Sequence, residues 1–397
     1  MRCLWLLVLV LAVTFASAQP ETPLPAGVRA VWEAALAQRE ASATRERLCL
    51  NGLWRWQPAE PTATVVPDGN WGFFKVPGPW PGIQDWMQSD YQTLYAHPAW
   101  RGQPLDAVRA AWYQREIETP AGWAGRRLLL SVDWLNSLAS VYLDGRAVGE
   151  LRWPGGTLDL STALQPGRRQ RLSLLVVAAP LKAVRLSFAD TNRAKEVPGR
   201  VARRGLCGNL WLVGEPAGAR IGDVRLDPSV RTGQLRVSAA LDGLADGARY
   251  TLRLRLHEPG QPVAELLSEP FDAGSLRDGR YSFAPAWQAA KTWDLDTPDN
   301  QVEADLALLA DGKLADAALP RRFGWRELWI DGRDFYLNGT RLYLSAVPLD
   351  NAQVGAALST YAAARESLLR LKRFGVNFVY THNYGCEPGD HLALADI

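Results

Sequence analysis

Ala111-Trp112-Tyr113-Gln114-Arg115-Glu116-Ile117-Glu118-Thr119 is the stretch that decides the architecture. Apolar and polar side chains alternate along it, and a period of two marks a half-exposed β-strand. The pattern repeats on both sides. Residues 127–132, 137–143, 157–164 and 170–178 read as further short strands, and Asp144-Gly145 supplies a tight turn after the second of these. Upstream, 50–56 opens the strand region and runs into a Pro/Gly/Trp loop over 76–81. Short strands at this spacing, with turns between them, build an all-β sandwich.

Further downstream, a connecting strand over 208–213 leads to Pro216, and a second β-rich segment spans about 219–320. Strands are expected there at 221–226, 234–241, 250–256 and 301–309, separated by Gly/Asp/Pro turns. This fits an immunoglobulin-like sandwich. From Phe323 the character changes. Residues 328–330 and 334–337 make a hairpin around Asp331-Gly332, and 342–347 reads as a strand. An amphipathic helix is expected over 361–374, a buried-type strand over 376–380 and a second helix from 388 to 397. Strand, helix, strand, helix is the opening of a parallel α/β unit. Two such units cannot bury their own faces, so the gene product is expected to continue past Ile397. At the other end, 19–45 is an Ala/Pro-rich extension, apolar at helical spacing over 28–39, where a short helix is expected.

A chain of 397 residues calls for two to three domains. Its 47% hydrophobic and 22% charged residues are those of a globular protein. The net charge of +2, with no run of basic residues, gives no reason to expect nucleic acid or an anionic membrane as partner. The 17 tryptophans are unusually many: most belong in sandwich cores, and the rest offer flat faces on which sugar rings stack. Trp112, Trp134 and Trp153 are the candidates for such a platform on the first sandwich, with core packing the simpler reading of each. Arg2, the apolar run 4–15 and Ala16-Ser17-Ala18 read as an export signal cleaved after Ala18, so a secreted or periplasmic protein is expected. No later segment is apolar over 18 residues, and no membrane span is expected. Cleavage would leave Cys49, Cys207 and Cys386, which have no metal-ligand spacing; one disulfide or three thiols fit equally.

Several pieces in this order resemble glycoside hydrolase family 2, the group of β-galactosidases, β-glucuronidases and β-mannosidases. Leu50-Asn51-Gly52-Leu53-Trp54 resembles that family's L-x-G-x-W, and Val76-Pro77-Gly78-Pro79-Trp80 its V-P-x-x-W loop. Trp112-Tyr113-Gln114-Arg115 resembles its W-Y-x-R strand, and Val141-Tyr142-Leu143-Asp144-Gly145 a later strand ending in N/D-G. The stretch 205–212 looks like its link between sandwiches. Arg322-Phe323-Gly324-Trp325-Arg326-Glu327, followed by Phe335-Tyr336-Leu337-Asn338-Gly339, resembles the approach to its catalytic barrel and is the strongest match. The likeness runs from about Cys49 to the end. It implies a signal peptide (1–18), an extension (19–45), a jelly-roll sugar-binding-type domain (46–215), an immunoglobulin-like sandwich (216–321) and the first two βα units of a (β/α)8 barrel (322–397). Two departures mark a divergent subfamily. Where the family continues as R-G-V-N-x-H-x-D, residues 344–350 carry no Arg, Asn or His. Where it has N-x-V-R-x-S-H-Y-P, Tyr380 holds the Arg position and the His is displaced to His382. β-Galactosidase specificity therefore does not carry over.

The resemblance implies hydrolysis of O-glycosyl bonds with retention, by two carboxyl groups about 5 Å apart. It puts both glutamates on later barrel strands, beyond Ile397, so no catalytic residue is assigned within the chain, and the fragment alone is expected to be inactive. No cofactor is called for, the expected partner is a carbohydrate, and the oligomeric state is left open. His382, Asn383 and Tyr384 follow a buried strand, where barrel enzymes place their sites, and are candidate sugar contacts, as are Asp350 and Asn351 after the first strand. A structural loop is an equal reading of 381–391; Glu387, Asp390 and His391 as metal ligands is a lesser one. Asn338-Gly339-Thr340 matches a glycosylation acceptor, but an Asn-Gly turn explains it better. The alternative function is a non-catalytic carbohydrate-binding or cell-surface sandwich protein.

Overall fold

The structure, a computed structural model, describes residues 20–80, 93–179, 184–187, 194–197, 204–258, 261–349 and 361–381. It is overwhelmingly β. The 110–118 strand lies near the middle of a seven-stranded antiparallel sheet, which runs Arg146–Arg152, Leu138–Leu143, Arg169–Val177, Ala110–Glu118, Gly52–Ala59, Gly72–Val76, Leu94–Tyr95. A five-stranded sheet faces it, in the order Arg39–Ala41, Glu46–Cys49, Leu210–Glu215, Arg127–Val132, Gly156–Asp159. Alternate residues of both sheets, among them Trp54, Trp56, Phe74, Tyr113, Leu130 and Leu212, meet in one apolar core. Each large side chain removed from water there contributes about 1.5–3 kcal/mol.

The second sandwich has its own core. Arg220–Ser229, Gln234–Asp242 and Arg280–Phe283 form one sheet; Gln261–Leu267, Tyr250–Glu258, Gln301–Ala310 and Lys313–Ala317 form the other, with Arg321–Gly324 also pairing onto Gln301–Ala310. Val237, Leu241, Leu254, Leu306 and Trp325 meet between them. Asp144-Gly145, Asp311-Gly312 and Asn338-Gly339 all close two-residue hairpins with positive φ at both positions, the handedness that matches strand twist.

The two sandwiches are pinned together by Asp316, which is fully buried. Its carboxylate accepts hydrogen bonds from Thr44 Oγ1 (2.7 Å), Arg45 Nε (2.9 Å) and the Ile221 amide (2.7 Å). Arg45 in turn reaches Glu215 at 3.3 Å, and Glu215 also holds Arg127 at 2.8 Å. Thr44 and Arg45 belong to the first sandwich, so the joint is made of side chains far apart in sequence.

Beyond the second sandwich, Leu328–Asp331, Asp334–Leu337 and Thr340–Leu342 form a small antiparallel sheet. Ala346–Leu349 and Phe378–Thr381 then pair in parallel, joined through the helix Tyr361–Arg373. The expected strand over 342–347 is thus divided: Leu342 closes the hairpin sheet, and the parallel strand starts at Ala346. The helix expected over 28–39 does not form. Only one turn closes, with the Leu36 and Ala37 amides on the Glu33 carbonyl, and Arg39–Ala41 goes on as an edge strand. Its apolar spacing serves instead to lay Trp32, Ala34 and Ala37 against the first core.

Candidate functional site

The residues expected to contact substrate, Asp350, Asn351, His382, Asn383 and Tyr384, lie outside the described residues, as do Glu387, Asp390, His391 and Cys386. The strands that lead to them are described. Leu349 and Thr381 are direct partners at the ends of the parallel pair, immediately before the two candidate segments. Asn377 sets that register: its Oδ1 accepts from the Ser345 amide (2.9 Å) and its Nδ2 donates to the Tyr343 carbonyl (2.8 Å). The helix before it ends in a Schellman arrangement, with Gly375 at φ 78° and the Val376 amide on the Leu371 carbonyl. Arg370, Lys372 and Arg373 in its last turn complement the helix dipole.

The motif residues of the first sandwich converge, and what they build is a scaffold. Arg115 is buried on the core side, stacked 4.9 Å from the Trp54 ring centroid. Its guanidinium donates to the carbonyls of Leu50, Asn51 and Leu53, holding the chain where it crosses from one sheet to the other. Desolvation lowers its pKa to about 10. Trp80 donates to the hydroxyl of Tyr113, which is fully buried, and burial pushes that phenol up. Gly205 packs against both rings, so close that a Cβ there would overlap them. Asn51 Nδ2 donates to Asn209 Oδ1 (2.8 Å), and Asn209 Nδ2 to Asp133 (3.1 Å), whose carboxyl is pushed up by burial.

The next motif is equally structural. Trp325 is buried edge-on against Trp287 at 5.2 Å. Asn338 accepts from the Glu327 amide (2.9 Å) and donates to the Trp293 carbonyl (2.8 Å), so its side chain secures the turn. Glu327 is held below the usual carboxylate range by hydrogen bonding to Arg231.

Of the three tryptophans considered for a sugar platform, Trp112 is only 1% exposed and packs on Tyr142. Trp134 and Trp153 form an edge-to-face pair at 5.8 Å, and Trp153 is 58% exposed. Among the described residues Cys49 is a buried free thiol, and the Cys207 sulfur lies 3.7 Å from the Gly205 carbonyl. Among the described residues no cluster of three or more His, Cys, Asp or Glu could hold a metal ion.

The sequence reading did not single out a cleft of about 320 Å³ between residues 21–32 and the outer face of the seven-stranded sheet. The signal was present in the alternation. With Trp54, Trp56, Phe74 and Tyr113 in the core, Arg55, Phe73 and Gln114 must face the other way.

No protein-family model matches the chain. Among curated proteins, a beta-galactosidase of Arthrobacter sp. (strain B7) is 26% identical over 383 residues, 88% of this chain and 34% of that one. Among solved structures, a glycosyl hydrolase family 2 member from Bacteroides cellulosilyticus superposes with TM-score 0.64 at 16% identity, over 87% of this chain and 46% of its own. The fold is glycoside hydrolase family 2-like. Two β-glucuronidases share the family 2-like fold. That of Bifidobacterium dentium, complexed with coumarin-3-O-glucuronide, matches at TM-score 0.64 and 20% identity, covering 91% of this chain and 61% of its own. That of Ruminococcus gnavus, with a C6-substituted uronic isofagomine, matches at 0.63 and 16%, covering 89% and 58%. The chain therefore spans about a third of the curated relative it matches (34%) and roughly half of these solved chains (46–61%).

Proposed function

We propose that this chain is the front of an exported glycoside hydrolase that works in carbohydrate breakdown by the retaining, two-carboxylate route. The observation that carries the reading is the succession of two sandwiches and a parallel strand–helix–strand unit, in a chain similar to a beta-galactosidase along 88% of its length. In this reading Ala346–Leu349 and Phe378–Thr381 are the first two strands of a (β/α)8 barrel, whose active face lies at the carboxyl ends of its strands. The sugar contacts are then assigned to Asp350, Asn351, His382, Asn383 and Tyr384, which directly follow these two strands in sequence. The acid and the nucleophile belong to later barrel strands, outside residues 1–397. Export rests on the signal-like residues 1–18.

The test is a pair of proteins from the same locus, residues 19–397 and the complete reading frame, assayed on aryl β-galactosides, β-glucuronides and β-mannosides. The complete protein is expected to hydrolyse at least one with retention, and residues 19–397 none. Turnover by 19–397 sinks the assignment of the carboxylates. A complete frame that binds sugars and turns over none favours the non-catalytic sandwich protein.

A further inference from the structure

The extension before the first strand is tied down at two points, and the cleft opens between them. At one end the Trp71 amide donates to the Pro20 carbonyl (3.0 Å), the Thr22 amide to the Trp71 carbonyl (2.8 Å), and Thr22 Oγ1 to the Ala96 carbonyl (3.2 Å). At the other, Trp32 Nε1 donates to the Cys49 carbonyl (2.8 Å). Between these anchors Leu24, Val28, Arg29 and Trp32 form one wall.

The floor is a row of direct cross-strand partners, Phe73, Arg55 and Gln114, with the buried Ser173 next in the row. Arg55 Nη1 lies 3.4 Å from Gln114 Oε1, and Gln114 Nε2 lies 3.3 Å from Ser173 Oγ, so the amide is oriented from both sides. Phe73 continues the row with an aromatic ring, and Trp32 stands on the wall. Positive charge is in excess. Glu21 is paired with Arg55 (2.6 Å), and Glu116 stands across the sheet from Arg171. Arg169 reaches Glu118 only at 3.7 Å and is 60% exposed, and Arg29 makes no ion pair among the described residues.

We propose that this cleft binds a saccharide unit carrying a carboxylate. Its volume falls at the lower end of the roughly 300–1,000 Å³ common to small-ligand sites. An oriented amide beside aromatic faces suits a ring that is polar at its edge and apolar on its C–H faces. The guanidinium groups of Arg29 and Arg169 take the carboxylate, for which a planar fork of donors is well matched. The carboxylate follows from the arginines alone, whereas the choice of a sugar to carry it rests on the glycosidase reading above. A ligand here touches both extension and sheet, so binding also fastens residues 21–32 to the sandwich.

The test is calorimetric titration of the full chain with methyl β-D-glucuronide, methyl β-D-glucoside and sodium acetate, for the parent and for the double variant Arg29→Ala/Arg169→Ala. Both arginines are exposed, and an unchanged melting temperature verifies that the variant is folded. The glucuronide is expected to bind the parent at least about tenfold more tightly than either the glucoside or acetate, and the double variant to lose about tenfold. No binding by the parent, equal binding of glucoside, or a double variant that binds like the parent overturns the site. Acetate binding as tightly as glucuronide overturns the sugar. Hydrolysis is not read in this experiment: glucuronide binding by this chain, together with a complete reading frame that never turns over a glycoside, keeps this site and loses the glycosidase reading.

Discussion

Arg115 illustrates how much of a large sheet can depend on one buried cation. Three carbonyls and the face of Trp54 surround its guanidinium, and the planar fork is what lets one side chain meet Leu50, Asn51 and Leu53 together. A lysine keeps the charge but not the fork. Arg115→Lys is therefore expected to cost about 3 kcal/mol. For a sandwich of this size that lowers the melting temperature by roughly 6–12 °C. Calorimetry on the purified chain checks it, and a shift below about 2 °C would mean that the carbonyls find other donors. The role of Arg115 is not readable from its letter, since a polar residue in an alternating strand reads as solvent-facing. It points into the core in phase with Tyr113 and Ile117, and Gly52, at φ 121°, leaves room for its guanidinium.

At the scale of elements, strands with one wet and one dry face were legible. Gln234–Asp242 alternates in burial along its whole length, as its sequence does. The failures have physical causes. The apolar spacing over 28–39 is a helix pattern only if nothing else demands apolar contact, and here the first core does. The cleft was illegible because its floor comes from three strands, at residues 55, 73 and 114, which register alone makes neighbours. The helix Tyr361–Arg373 was legible from its amphipathic face, and Gly375 marks its stop. A Cβ at Gly375 would meet no atom, so the cost of Gly375→Ala is purely that of a left-handed backbone, about 1–2 kcal/mol. Hydrogen exchange is expected to show about tenfold less protection over 371–376, with the sandwich strands unchanged. Equal protection in both proteins would show that the cap does not hold the helix end.

For the whole molecule, the decisive contact is Asp316. Its loss leaves Arg45, nearly enclosed, without its main counter-charge, and breaking such a pair costs about 3–5 kcal/mol. The predicted phenotype of Asp316→Asn is uncoupling: two separate heat-absorption peaks, and tryptic cleavage after Arg220 at the joint. One peak and an intact joint would mean that Glu215 and its arginines suffice. Beside the parallel strands the apolar side chains of Tyr343, Phe374 and Tyr380 are left exposed. The joint also imposes a schedule on synthesis. The first sandwich has all its strands once Glu215 has left the ribosome, yet its clasp is about a hundred residues further on, at Asp316. At roughly 5–20 residues per second, Arg45 waits about 5–20 s for its partner. In that interval the nascent sandwich stands closed but undocked, with Glu215 already in place to hold Arg45.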